Sequence, residues 1–260
     1  MAPSPSDMKA LVITPTYNER ENIPILLDRI QQAAPGIHVL VVDDNSPDDT
    51  SGYVRERALK DGWIHLIERP SKMGLGTAYC TGFLWALERD YAAIIQMDAD
   101  LSHDPEQIPT LLGLLHEYDL VIGSRYIKGV NVVNWPLGRL ILSWSANMYA
   151  KILTGVPVWD LTGGYKCWKR EVLANLDIPS IRSEGYSFQI ETTFRAHYQG
   201  YRIVESPIVF VDRTEGSSKM SRGIIFEAVW MVPRLRLTRL LGRLRSSRGK
   251  PTRLSGHPKP

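Results

Sequence analysis

From Lys9 to about Ser124, short apolar runs alternate with stretches of helical spacing. Ala10-Leu11-Val12-Ile13 reads as a buried strand, and Asn22 precedes Ile23, Leu26, Leu27 and Ile30 at the spacing of an amphipathic helix. Val39-Leu40-Val41-Val42 is a second buried strand, closed by Asp43-Asp44. Ser46 to Lys60 reads as the next helix and His65–Glu68 as a weaker strand, and Lys72-Met73-Gly74-Leu75-Gly76 leads into a helix through Glu88. Ala92 to Met97 is again a strand, Asp104-Pro105-Glu106 opens a helix with Asp as cap and Pro at its first position, and Leu120–Ser124 is the next strand. Strands apolar on both faces, each followed by a helix, predict an α/β fold with a mostly parallel sheet covered on both sides.

The rhythm changes after Arg125. Residues 126–136 read as a loop, Leu137 to Leu153 as a helix, Asp160–Gly164 as a turn, Tyr186 to Tyr198 as a helix and Arg202 to Val211 as a strand. Asp212–Gly223 is polar and glycine-containing and reads as a mobile loop. Ile224 to Val232 is apolar but too short to cross a bilayer, and no stretch elsewhere is long enough. Beyond Pro233, Leu237, Leu240, Leu241 and Leu244 share one helical arc opposite Arg236, Arg239 and Arg243, the pattern of an interfacial helix; a helix packed on the domain is the alternative. The organisation expected is a disordered N-terminus over 1–8, one domain over 9–223, amphipathic membrane-interfacial helices over 224–246 and a basic disordered tail over 247–260.

Charge sharpens this picture. The net +3 divides into nine Lys/Arg and no acids from Arg234 to Pro260, against −6 for residues 1–233. A basic tail beside an apolar helix face suits an anionic membrane surface. Nucleic acid is not expected as a partner, because base-stacking aromatics are missing from the tail. The N-terminus lacks the apolar core of a signal peptide, and Cys80 and Cys167 match no metal-ligand spacing, so they read as reduced buried thiols of a cytosolic protein.

Three polar clusters sit at three expected strand ends: Pro15-Thr16-Tyr17-Asn18-Glu19, Asp43-Asp44-Asn45 and Asp98-Ala99-Asp100. Carboxyl ends of parallel strands share one edge, where ligands bind, so the clusters should converge. Taken singly, each could be a helix cap or a chance pair. Paired carboxylates suit a divalent cation, and their hard oxygens favour Mg²⁺ or Mn²⁺ over zinc. Alternate residues of a strand lie roughly 7 Å apart, so both acids reach one ion only if the backbone turns or water intervenes. Asp100 is the expected direct ligand, with Asp98 nearer nucleotide or sugar. A lone His103 reads as structural. The Lys72–Ala78 segment is neither a dinucleotide fingerprint nor a Walker loop, though its glycines let backbone approach a ligand.

Together these segments, with Gly123-Ser124-Arg125-Tyr126, Asp160-Leu161-Thr162-Gly163, Val211-Asp212-Arg213 and Ser218-Lys219, resemble the family 2, GT-A-fold glycosyltransferases. Among these they are most similar to the dolichol-phosphate and polyprenol-phosphate mannose synthases, over roughly Lys9 to Gly223. The resemblance implies that Pro15, Tyr17, Glu19, Val42 and Asp44 hold the guanosine of GDP-mannose and that Lys72 also contacts substrate. It implies that Asp98, Ala99 and Asp100 meet the diphosphate, metal and sugar. Arg125, Arg213 and Lys219 would contact phosphates, and Arg139 the acceptor phosphate. Asp98, Asp100, Arg125 and Arg213 would carry catalysis. Ser102 stands where some relatives carry a Gln that completes the metal shell, and Trp144 near a position where relatives can carry Arg.

The implied reaction moves mannose to a polyprenyl or dolichyl phosphate by one in-line displacement with inversion. A phosphate monoester has a second pKa of about 6, so it is already a nucleophile and needs no general base. Cations must instead offset repulsion between two phosphates. The enzyme would sit peripherally on the cytoplasmic face of a membrane, with a separate membrane-anchoring subunit plausible. The alternatives are a UDP-glucose:polyprenyl-phosphate glucosyltransferase, a phosphohydrolase with Asp98 as nucleophile, which lacks a placeable Lys and Thr constellation, and a non-catalytic nucleotide-sugar-binding module.

Overall fold

The computed structural model describes residues 8–211 and 230–237. Arg213, Lys219, the expected loop after Val211, Leu240, Leu241, Leu244, Arg239, Arg243 and the basic tail lie outside the described residues.

The central sheet takes its strands from β1 (Ala10–Thr16), β2 (His38–Asp43), β3 (Ile64–Glu68), β4 (Ala93–Gln96), β5 (Leu120–Ser124), β7 (Lys166–Lys169) and β8 (Ile203–Pro207), in the order β3-β2-β1-β4-β7-β5-β8. A second, two-stranded sheet pairs β6 (Val132–Val133) with β9 (Phe210–Val211). β1, β2, β3 and β4 run parallel, and β8 runs parallel to β5. The α/β, mostly parallel expectation therefore holds, with one departure. β7 inserts antiparallel between β4 and β5. Its sequence, Lys-Cys-Trp-Lys, carries a lysine at each end and offers no apolar run. It is a strand because its neighbours have edges to be paired, and Trp168 Nε1 donates to Gln96 Oε1 at 2.7 Å across that pairing.

The strands alternate faithfully. Leu11, Ile13, Leu40, Val42, Ile94, Leu120 and Ile122 face one layer; Ala10, Val12, Val39, Val41, Ala93, Ile95 and Val121 face the other. The first layer is roofed by α3 (Leu75–Leu87), through Tyr79 and Phe83, and by α7 (Gly185–Tyr198), through Phe188 and Phe194. The second is roofed by α1 (Asn22–Ala33), α2 (Thr50–Lys60) and α4 (Ile108–Leu114), with Ile23, Leu26, Leu27, Val54 and Leu111 inward. α3 lies so close to β1 that a Cβ on Gly82 would sit 2.6 Å from Ile13 Cγ2.

α2 begins at Thr50, later than its apolar spacing suggests. Ser46 is diverted: its amide and hydroxyl both donate to Asp43, at 2.9 and 2.6 Å, while Asp48 accepts from the Thr50 amide and hydroxyl. As expected, Asp104 accepts from the Glu106 amide, with Pro105 opening a single 3₁₀ turn before α4.

α5 (Leu137–Thr154) follows β6, and the short α6 (Arg170–Ala174) follows β7. Residues 230–237 are helical and lay Val232 and Leu235 into the core beside Tyr149, Leu153 and Tyr198. Arg236 donates to the Thr154 carbonyl at 3.1 Å, and Tyr198 Oη donates to it at 2.6 Å, so the end of α5 is satisfied from two sides. This stretch thus docks on the domain through Val232 and Leu235 and leaves Trp230 and Leu237 exposed. No helix among the described residues is long and apolar enough to cross a membrane. Cys80 and Cys167 are free thiols; Cys167 is buried, whereas Cys80 is only partly so, and burial pushes Cys80 up to about 12.

Candidate functional site

β2, β1 and β4 are adjacent and parallel, so their carboxyl ends bring the three polar clusters to one edge, beside the point where strand order reverses. Each tip turns through a residue in the left-handed region: Asn18 (φ 60°), Asn45 (φ 56°) and Leu101 (φ 62°). Left-handed backbone costs a leucine about 1–2 kcal/mol. At Leu101 it is held by a local turn, in which Asp100 Oδ1 accepts from the Ser102 amide at 3.1 Å and the Ser102 hydroxyl at 2.6 Å. β4 has already ended at Gln96, so Asp98 and Asp100 lie on a bend, not on a strand. The backbone turn that a shared ion requires is present.

Both aspartates line an open cleft, with Ser102, His103, Arg125, Trp135, Arg139, Thr162, Gly164, Tyr186 and Phe210. Asp98 is oriented by Tyr79, whose Oη donates to Oδ1 at 2.8 Å. Burial, reinforced by Asp98, holds the Tyr79 pKa well above the ordinary phenol value, so Tyr79 stays a donor. His103 Nδ1 accepts the Asp98 amide at 3.1 Å, and its ring stacks on Tyr165 with centroids 4.9 Å apart. That nitrogen is committed, as a structural histidine's is.

Two arginines, Arg125 and Arg139, also line the cleft. Arg125 Nε and Nη2 fork onto Asp160 at 2.7 and 2.6 Å, and Nη2 also reaches Thr162 at 2.9 Å. Burial opposes the Arg125 charge, but Asp160 overrides it and holds the guanidinium above the ordinary arginine value. Asn147 on α5 exchanges hydrogen bonds with Thr162, fixing the Asp160–Gly164 turn against the helix that carries Arg139. The Arg139 guanidinium lies 4.3 Å from the centroid of Trp135.

Some expected contacts fall elsewhere. Val42 is fully buried in β2, and its side chain belongs to the core below the edge. Ala99 is buried as well. Asp44 is buried against Arg69 and accepts from the Met73 and Gly74 amides at 3.1 and 3.2 Å. It fastens the Lys72–Gly76 loop; its side chain is occupied by protein. Lys72 from that loop lies 4.1 Å over the Tyr17 ring, pairing two expected contacts at the β1 end. Pro15 sits opposite Val42, and Glu19 accepts from Asn22 at 2.8 Å at the start of α1. The first turn of α3 is taken too: Glu184 accepts from the Gly76 and Thr77 amides at 2.8 and 3.3 Å. Gly74 (φ +100°) leaves room for Glu184, and Gly76 for the Ser183 carbonyl and Glu184, which a Cβ at those positions would meet. The glycines serve this packing.

Sequence reading missed Tyr79, Trp135, Tyr186 and Phe210. Tyr79 lies within a quoted motif, but hydroxyl orientation of an acid nineteen residues away has no local signature.

Metal chemistry can be judged from the donors. Among the described residues, no group of three or more His, Cys, Asp and Glu could hold an ion. Two carboxylates at a polar cleft, with the Nδ1 of nearby His103 taken by the Asp98 amide, supply hard oxygens that fit Mg²⁺ or Mn²⁺ completed by substrate phosphate and water.

The family described as "Glycosyl transferase family 2" matches residues 11–176. An undecaprenyl-phosphate mannosyltransferase from Micrococcus luteus is 48% identical over 227 residues, covering 87% of this chain and 93% of that protein. A polyprenol monophosphomannose synthase from Mycolicibacterium smegmatis is 47% identical over 243 residues, covering 93% and 91%. Among solved structures, glucosyl-3-phosphoglycerate synthase from Mycobacterium tuberculosis in complex with UDP superposes with a TM-score of 0.60 at 19% identity, covering 86% of this chain and 80% of that one. A mannosyltransferase from Pyrobaculum calidifontis in complex with GDP-Man and Mn²⁺ gives 0.56 at 19%, covering 93% and 77%. These two share the GT-A fold. With a family match spanning more than half of its length, and relatives nearly half identical along almost all of it, this chain belongs to glycosyl transferase family 2.

Proposed function

We propose that the protein transfers mannose from GDP-mannose to a polyprenyl phosphate, with inversion, releasing GDP. The observation that carries this reading is that Asp98, Asp100, Arg125 and Arg139 line one cleft. The activities of the two relatives, an undecaprenyl-phosphate mannosyltransferase and a polyprenol monophosphomannose synthase, suggest the sugar and the lipid class.

The division of labour follows from charge. Asp98 and Asp100 would hold Mg²⁺ or Mn²⁺, which when bound neutralises charge on the departing diphosphate. Arg139, seated on Trp135, receives the acceptor phosphate. Arg125 lines the same cleft, and its fork onto Asp160 keeps that part of the lining in place. An ionised phosphate oxygen attacks the anomeric carbon as the bond to the GDP oxygen breaks, and the pair of electrons leaves with GDP. No proton changes hands, in keeping with the donor role of Tyr79. Arg213 and Lys219 add cations from beyond the described residues, and Tyr17, Glu19 and Lys72 frame the guanosine. An amphiphilic acceptor places the enzyme peripherally on an anionic membrane surface at its cytoplasmic face, where a separate anchoring subunit can assist.

The test is incubation with polyprenyl phosphate and Mg²⁺ or Mn²⁺, supplied separately with GDP-mannose, UDP-glucose and UDP-GlcNAc. Lipid-linked sugar from GDP-mannose alone is expected. Product from UDP-glucose alone would overturn the donor assignment.

A further inference from the structure

Gln189 lies on α7 one turn beyond Tyr186, on the same helix face, and Tyr186 lines the cleft. Its side chain is 2% exposed, and neither Oε1 nor Nε2 has a hydrogen-bond partner among the described residues. Buried amides in folded proteins are nearly always paired. Here the amide stands beside the cleft floor. A Cβ on Gly164 would meet Asp98 Oδ2 at 3.3 Å, His103 Cε1 at 3.4 Å and Gln189 Nε2 at 3.5 Å. Gly164, Asp98 and His103 all line the cleft, so the amide and the Asp98 carboxylate converge on the space that glycine keeps clear.

The backbone beneath this side chain is fixed with care. The Gln189 carbonyl accepts from Lys166 Nζ at 2.7 Å, from the Thr193 hydroxyl at 2.9 Å and from the Thr192 hydroxyl at 3.2 Å. Lys166 is fully buried in β7, and burial pushes its ammonium well below the ordinary lysine value. So the main chain is triply held while the side chain carries an unused donor and an unused acceptor.

That pairing selects a ligand class. A phosphate offers only acceptors and would leave Oε1 unmet, and a polyprenyl chain offers neither partner. A sugar hydroxyl both donates and accepts, and neighbouring hydroxyls can satisfy both ends of one amide. We propose that Gln189 binds hydroxyls of the hexose carried by the nucleotide-sugar donor, beside Asp98, and so reports which sugar occupies the cleft. This rests on the nucleotide-sugar reading of the cleft, but not on which nucleotide or which hexose.

The test compares Gln189→Met with the unaltered protein by calorimetric titration of GDP-mannose and of GDP, each with Mn²⁺. Gln189→Met keeps the volume and removes a buried unpaired amide, so its Tm should equal or exceed that of the unaltered protein. GDP-mannose affinity should fall about tenfold, with GDP affinity unchanged. A second variant, Gly164→Ala, fills the shared space and should show the same selective loss. Equal weakening of both ligands, or of neither, overturns the proposal. If the unaltered protein ignores GDP-mannose, the donor reading fails; UDP-glucose against UDP then replaces the pair, and the same sugar-selective loss supports Gln189 while its absence overturns it.

Discussion

The two edges of one sheet solve opposite problems. At the amino edge, where β2 and β3 begin and just before β4, His38, His65 and Tyr91 form a closed group: His38 Nδ1 lies 3.0 Å from His65 Nε2 and 3.0 Å from Tyr91 Oη. Trp85 and Tyr91 stack beside them, and Lys9 pairs with Asp90. At the carboxyl edge β1, β2 and β4 lead to Tyr17, Asp44 and the Asp98–Asp100 segment, and Asp98 and Asp100 line a cleft together with Arg125 and Arg139. The first edge satisfies its own polar groups. Beside the second, the buried Gln189 side chain has no partner among the described residues. Local satisfaction is what stability requires, and its incompleteness is what a binding site requires.

This contrast can be broken in graded steps. The largest effect is expected from Asp100→Ala, which should cut turnover on the order of 10²–10³-fold with little change in Tm, since it removes charge from the incomplete edge. Near-normal rates from the assay with GDP-mannose would remove Asp100 from the reaction. Next is Asp160→Ala. It strands Arg125 in a buried wall and should cost about 3–5 kcal/mol of stability, read by urea unfolding, with activity lost alongside. Preserved stability would mean that the fork onto Asp160 is not what holds the wall.

Tyr79→Phe should be milder. It deletes one hydrogen bond to Asp98, and the concentration of Mg²⁺ or Mn²⁺ needed for half-maximal rate should rise roughly 10–100-fold. The smallest effect belongs to the amino edge. Burial lowers the pKa values of His38 and His65 below 6.5, assisted by Lys9 for His38 and by His38, Arg89 and Lys9 for His65, with Asp90 opposing at His38. Below pH 6.5 the unfolded chain therefore binds more protons than the folded one. Their stabilisation is present above that pH and is lost as pH falls through the folded values. Urea midpoints should decline modestly from pH 7.5 to 5.5, and His65→Gln should flatten the decline. A midpoint unchanged by pH in the unaltered protein would refute it.

Legibility followed locality. The β1 to β5 strands and the helices between them were readable because each buries a face with its own period, and a run such as Ala10–Ile13 leaves little choice. Asp104 and Pro105 declared their cap for the same reason. Lys166–Lys169 did not declare itself, because a strand ending in lysines is apolar only in the place the fold puts it. Asp44 shows the converse. Its position at a strand tip was plain, yet whether it faces ligand or Arg69 depended on a loop some thirty residues on.

Alternation of apolar runs and helical spacing determined by itself that this chain builds an α/β sheet with acids along one edge, since burial of apolar surface is decided over a few neighbouring residues. Only the tertiary structure decided that β4 stops short of its acids so that both enter one cleft, that Glu184 occupies the first turn of α3, and that Gln189 stands beside Asp98. Those outcomes depend on groups far apart in the chain meeting across packed layers, where hydrogen-bond geometry is set by the whole core and by no single segment.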